Sequence, residues 1–182
     1  MLRPFSIFIL IILTTYSNAD IKEKIIQNLK KTNNLDFTFE QNINGKIENG
    51  NCTVEYPKKI FCIYATSNDK ILVSNGKSLV IKTKTSYYRY PIEKTPLNLI
   101  LDKNYLISKI NELSERIINK NLINFTIREK DNEINVFFDN QNYDLVGWQN
   151  KDIYQNLNIT YLSLTSKNRI LPNNLFKLPI QN

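Results

Sequence analysis

Two cysteines, ten positions apart in the stretch GNCTVEYPKKIFCIY, are the only thiols of this 182-residue chain. What they could do depends on which groups could assist them, and no histidine occurs anywhere in the sequence. That removes the Ser-His-Asp and Cys-His nucleophilic arrangements, every His-containing zinc site and the usual acid–base residue near neutral pH. Two cysteines alone do not complete a tetrahedral zinc site. Cys52 and Cys62 also lack the Cys-x-x-Cys spacing of thiol exchangers. Glycine is scarce, at four residues, and no Gly-rich phosphate loop is present. Paired carboxylates remain, but Asp and Glu sit mostly beside Lys or Asn, as in Lys130-Asp131-Asn132-Glu133, a pattern of solvated faces. The expectation is a protein that is not an enzyme and takes neither metal nor cofactor.

The compartment decides what the thiols become. The chain opens MLRPFSIFILIILTTYSNAD, with Arg3 as a basic n-region and Phe5 to Leu13 as a short apolar h-region. Ser17-Asn18-Ala19 supplies small residues for a signal peptidase. The apolar run is about half of the roughly 20 residues a membrane span needs. Residues 1–19 are therefore expected to be a signal peptide cleaved after Ala19, leaving a single domain, residues 20–182, outside the cytoplasm. The removed segment holds one basic residue, so the remainder is one unit less positive than the +7 of the whole chain. An exported protein of this charge would meet anionic lipid headgroups or an acidic partner rather than nucleic acid, a Lys- and Asn-rich composition bias being the alternative source of the charge. In an oxidising compartment the cysteines are expected to form a structural disulfide, two free buried thiols being the alternative.

Register supports the bridge. If Tyr56-Pro57-Lys58 form a three-residue loop, Glu55 faces Lys59, Val54 faces Ile60 and Cys52 faces Cys62. A two-residue loop at Pro57-Lys58 would put Cys62 opposite Thr53 and turn the thiols to different faces. Proline at the first position of such a loop also opposes the primed turns that hairpins prefer. Closing a ring of about 11 residues would contribute roughly 2–3 kcal/mol.

The elements that would hold this hairpin follow from periodicity. DIKEKIIQNLKK, residues 20–31, places Ile21, Ile25, Ile26 and Leu29 on one helical side. The period then becomes two, with Phe37 and Phe39 alternating in LDFTFEQN, then Cys52, Val54 and Tyr56, then KIFCIY. In KILVSNGKSLVIK a turn at Asn75-Gly76 is predicted to set Leu72 opposite Leu79. Thr95 is predicted to cap a helix with Pro96 at its first position, and NYLISKINEL to be helical. NFTIREKDNEINVFF is predicted to turn at Asp131-Asn132, pairing Ile127 with Val136 and Phe125 with Phe138. DLVGWQNKDI and NLNITYLSL are further strands. Antiparallel strands at this spacing, with two or three helical interludes, make one curved sheet. Its inner positions, among them Phe37, Phe39, Tyr88, Phe125, Phe138 and Trp148, suit either a packed core or a pocket covered by helices. The triplets at Asn51, Asn124 and Asn158 match the glycosylation acceptor pattern, as an Asn-rich chain will by chance.

YPKKIFCIY, followed by KILVSNGKSLVIK and TPLNLIL, resembles the outer-membrane lipoprotein carrier protein (LolA) family, a resemblance continued by LVGWQNKD and the closing LFKLP. It spans about Phe37 to Pro179. The resemblance implies an α+β, mostly β fold: an unclosed antiparallel β-barrel with helices forming a lid over an apolar cavity. It implies a monomeric periplasmic carrier that binds the acyl chains of lipoproteins. Its partners would be an ATP-driven extractor in the inner membrane, the acylated lipoproteins and an outer-membrane receptor. A free-lipid carrier on the same fold, or a non-transporting stress-sensing or scaffold module of the envelope, are the alternatives.

The cavity lining is then expected at Phe37, Phe39, Val54, Ile60, Leu72, Leu79, Ile81, Tyr88, Leu97, Ile100, Leu101, Phe125, Phe138 and Trp148. In the family an arginine before the turn proline holds the lid closed by bonding to helix carbonyls. Here Tyr56 stands at that position, and a hydroxyl offers one donor where a guanidinium offers five. Tyr56, with Arg89 as a substitute, is the expected lid contact. The family's strand tryptophan aligns with Cys62, which implies a differently shaped cavity at that point.

Overall fold

The structure, a computed structural model, describes residues 21–65, 68–129, 132–151 and 155–181. The expected signal peptide and the residues of the 130–131 turn lie outside the described residues. An amphipathic helix, α1 (Ile21–Lys31), buries Ile25, Ile26 and Leu29 as its spacing predicts. Six strands follow: β1 (Asn34–Ile43), β2 (Lys46–Glu55), β3 (Lys59–Tyr64), β4 (Ile71–Asn75), β5 (Ser78–Lys82) and β6 (Tyr87–Pro91). A 3-10 turn (Ile92–Lys94) leads to α2 (Leu97–Leu101) and α3 (Lys103–Glu112). The chain then forms β7 (Arg116–Ile118), β8 (Leu122–Glu129), β9 (Asn132–Asp139), β10 (Leu145–Lys151) and β11 (Leu157–Lys167).

All eleven strands join one antiparallel sheet in the order β6-β5-β4-β3-β2-β1-β11-β10-β9-β8-β7. The first and last strands meet in the middle, and β6 and β7 are the two free edges. The segment between them, residues 92–115, must therefore cross the whole width of the sheet. It carries α2 and α3 over the concave face, so the helical cover follows from strand order. The sheet is unclosed, as expected.

Three local expectations are corrected. Leu72 faces Ile81 rather than Leu79, because Gly76 alone adopts positive φ (92°) while the Asn75 side chain accepts hydrogen bonds from the amides of Lys77 and Ser78. The turn thus lies one residue later than a two-residue Asn-Gly turn requires. Ile127 faces Ile134 and Phe125 faces Val136, again two residues from the expected register. This alignment sets Arg128 opposite Glu133, whose groups pair at 2.8 Å. Thr95 does not cap α2: its hydroxyl donates to Ile92 O, and the helix begins after Pro96. Asp102 caps α3 instead, accepting from Tyr105 N at 3.2 Å.

The turn between β2 and β3 is as expected, with Glu55 opposite Lys59, Val54 opposite Ile60 and Cys52 opposite Cys62. A disulfide joins the two cysteines, whose Cα atoms are 4.1 Å apart. That separation fits a non-hydrogen-bonded antiparallel pair. One residue of β2 tolerates no side chain: a Cβ on Gly50 would lie 2.2 Å from the Ile63 carbonyl oxygen and 2.7 Å from the Phe39 ring. The bare glycine lets the Phe39 and Tyr64 rings meet edge to face, 4.9 Å apart.

Candidate functional site: a cavity beneath α2

Cross-strand partners share a face of a sheet, so the registers lay out the concave surface in rows. One row runs Phe37, Cys52, Cys62, Leu72, Ile81 and Tyr88 through β1 to β6. The next toward the β2–β3 turn carries Val54, Ile60 and Ser74. In the opposite direction a third row brings together Leu162, Phe39, Gly50 and Tyr64. Between these rows and α2 lies a cavity of about 260 Å³.

Nine of the expected lining residues surround it: Phe37, Phe39, Ile60, Leu72, Leu79, Ile81, Leu97, Ile100 and Trp148. The disulfide forms part of the floor, so the bridge contributes apolar surface where the family resemblance implied tryptophan. Five expected residues stand elsewhere. Phe125 and Phe138 are fully buried, packed edge to face at 6.0 Å. Val54 and Leu101 are buried in the core beside the lid without lining the cavity. Tyr88 shares the cavity face, but β6 is the sheet's edge and the side chain is 53% exposed.

The lid contact differs from expectation too. Tyr56 packs partly buried, with Lys103 Nζ 5.4 Å from its ring centre. Its hydroxyl is buried without a hydrogen-bond partner among the described residues, and burial pushes its pKa upward. Arg89 lies opposite Val80, on the face away from the cavity, and donates to Ser78 Oγ at 3.1 Å. The residue that fastens the lid is Lys58. Its main-chain N–H donates to Leu101 O at the end of α2, 2.9 Å away, and its Nζ pairs with Asp102 at 3.1 Å. The family's lid contact stands before the proline; here the left-handed φ of Lys58 (64°), one residue after the proline, aims that residue at the helix.

The cavity is not apolar throughout. Gln41 and Ile43 continue the alternation of Phe37 and Phe39 along β1, and Asn150, Asn158 and Thr160 join them from β10 and β11. Lys70 and Tyr64 complete this end. Sequence reading missed these polar residues; the signal available was the unbroken period of two through Gln41. Glu48, buried at 6% exposure, pairs with Lys70 and, at 2.9 Å, with Lys46. Burial would raise its pKa, but the hydrogen bonds from Lys70 and Lys46 outweigh it and the net shift is downward.

A broad antiparallel sheet, unclosed, with helices lidding an apolar cavity, defines the class of lidded half-barrels. Within it the chain belongs to the family described as outer membrane lipoprotein carrier protein LolA, whose model matches residues 27–179. Solved structures align with most of the chain. A conserved protein of Thermus thermophilus aligns with a TM-score of 0.52 at 7% identity, over 87% of this chain and 92% of that one. A LolA-superfamily protein of Nitrosomonas europaea gives 0.46 at 8% identity, over 87% and 96%. LprF of Mycobacterium bovis gives 0.45 at 14% identity, over 85% and 95%. No individually curated protein matches.

Proposed function

We propose that this protein is a periplasmic carrier that shelters the acyl chains of lipoproteins beneath α2 and escorts them from the inner to the outer membrane. The observation carrying this reading is the cavity, apolar along most of its floor and roofed by a short helix held at one end by Lys58. Burying a chain of ~16 carbons gains ~0.8 kcal/mol per methylene, on the order of 12 kcal/mol per chain. No lipoprotein leaves a membrane for water against several such terms, so a carrier has to offer comparable apolar surface and still let go.

At about 260 Å³ the cavity lies just below the roughly 300–1,000 Å³ of ordinary ligand pockets, so a full acyl chain fits best when α2 moves outward. Lid and ligand then compete for the same wall, which favours release. An ATP-driven extractor and an outer-membrane receptor are the proposed partners, and neither chemistry nor a cofactor is involved.

The test is a release assay. Membranes bearing newly acylated lipoprotein are incubated with the protein, and soluble lipoprotein is expected in the supernatant. None, under conditions where a standard carrier releases it, sinks the reading. Material co-purifying from the native host separates the alternatives: triacylated protein for this reading, extractable free lipid for a lipid shuttle, an empty interior for a scaffold.

A further inference from the structure

The polar end of the cavity is built across four adjacent strands. Trp148, Thr160, Gln41 and Glu48 lie in register from β10 through β11 and β1 to β2, and Asn150, Asn158 and Ile43 form the row beyond them. This end lies at the β1–β2 turn, whereas Lys58 fastens α2 at the opposite ends of the strands. The cavity therefore has a direction: hydrocarbon toward the lid, polar groups away from it.

The polar band is only partly self-satisfied. The Gln41 amide donates to Asn158 Oδ1 at 3.1 Å and to Thr160 Oγ1 at 3.2 Å. The Tyr64 hydroxyl reaches Gln41 Oε1 only at 3.5 Å, the limit of a hydrogen bond. The Thr160 hydroxyl proton and the Asn158 amide hydrogens have no acceptor among the described residues. Thr160 is 3% exposed, so an unused donor there lies beside the cavity rather than in bulk water. Burial, and then the nearby Glu48 carboxylate, keep the Tyr64 hydroxyl protonated and able to donate. Lys70, the lysine of the lining, is already paired with Glu48, and Lys46 reaches the same carboxylate from an exposed position. The band therefore offers neutral donors, which suit uncharged acceptor oxygens better than an anion.

We propose that this band is a head-group subsite, in which Thr160, Asn158 and Tyr64 donate to the ester and amide carbonyl oxygens of an acylated ligand whose hydrocarbon runs toward α2. The proposal rests on the carrier reading and deepens it by giving the ligand an orientation. An acylated cysteine of a lipoprotein carries both kinds of carbonyl, and a free acylglycerol carries esters alone.

The test compares the whole protein with Thr160→Val and Tyr64→Phe, each of which removes a hydroxyl and keeps the shape. Three probes are titrated: diphenylhexatriene, a pure hydrocarbon; a diacylglycerol; and a synthetic triacylated cysteine lipopeptide. The expected result is hydrocarbon affinity within twofold of the parent and carbonyl-bearing ligands bound roughly three- to tenfold more weakly. Weakening of the lipopeptide alone also supports the subsite and names amide oxygens; weakening of both lipids names the esters. Unchanged lipid affinity in both variants overturns the subsite and leaves the carrier reading standing. Equal loss of all three probes also overturns it, since shape rather than head chemistry was then disturbed. A parent protein that binds the hydrocarbon and neither lipid overturns the carrier reading itself.

Discussion

The two halves of the sheet are built on the same alternation and end in opposite states. Under α1 and α3, strands β8 and β9 send Ile123, Phe125, Ile127, Val136 and Phe138 inward, and all five are essentially unexposed, while Ile134 reaches the cavity's edge. Helix α1 is tied to that half, its Asn28 amide donating to Tyr143 O at 2.9 Å and to Asp144 at 2.7 Å. Tyr105 of α3 donates to Glu129 at 2.6 Å. Under α2 the inward residues are Cys52, Cys62, Leu72 and Leu79, one five-residue helix covers them, and a cavity remains. Inward residues therefore become core or lining according to the volume of cover above them. Two longer helices with large residues beneath them fill one half; a single short helix over a disulfide and a glycine leaves the other hollow.

Cavity-forming substitutions test that contrast most severely. Phe138→Ala in the packed half is expected to cost about 4 kcal/mol, the ordinary price of a large side chain in a filled core. Leu79→Ala, beside existing empty space, is expected to cost about 2 kcal/mol, because its side chain has fewer partners to lose. Urea unfolding of both variants reads the difference, and equal costs would mean that the hollow half collapses in solution. Next in size is the bridge. Cys52→Ser with Cys62→Ser is expected to lose roughly 2–3 kcal/mol by the chain-entropy account of an 11-residue ring. Reduction of the parent protein should reproduce that shift, and no change in its urea midpoint would place the bridge outside the folded core.

What sequence could and could not supply divides along the same line. The Cys52–Cys62 register was legible because an odd loop length decides which face each thiol takes. Both missed hairpin registers were wrong by two residues, a slip that keeps every side chain on its face and that alternation cannot detect. Phe125 and Phe138 are expected in the cavity because they point inward, and they do; that they pack on each other away from the cavity beneath α2 depends on where the 92–115 crossover lies, a long-range fact. The role of Lys58 depends on a positive φ that its residue type does not announce.

The lid offers a finer test. Asp102→Asn retains an acceptor for the Tyr105 amide and removes the ion pair with Lys58. Both side chains are 26% exposed, so the stability loss should stay below about 1 kcal/mol. Exchange of a bound hydrocarbon dye should nevertheless quicken several-fold, because α2 is then held by the Lys58–Leu101 backbone bond. Phe138→Ala should leave that rate alone. Identical exchange in Asp102→Asn and parent would show that α2 is not the moving part.

The last comparison belongs to the seam where the halves meet. Asp36 of β1 accepts from Arg169, from Thr53 of β2 at 2.6 Å and from Ser166 of β11 at 2.8 Å. The Arg169 hydrogen bond is the main cause holding its pKa down at about 2, from an ordinary 3.8. A carboxylate with a depressed folded-state pKa stabilises fully above its unfolded value, and the contribution disappears as pH falls toward the folded one. Stability should thus be flat in this respect above about pH 5 and decline between about pH 4 and pH 2. Asp36→Asn should flatten that limb of the acid-unfolding curve. Because the seam joins both halves, amide protection in β3 and in β8 should fall together along it; separate transitions would mean that the hollow half unfolds on its own.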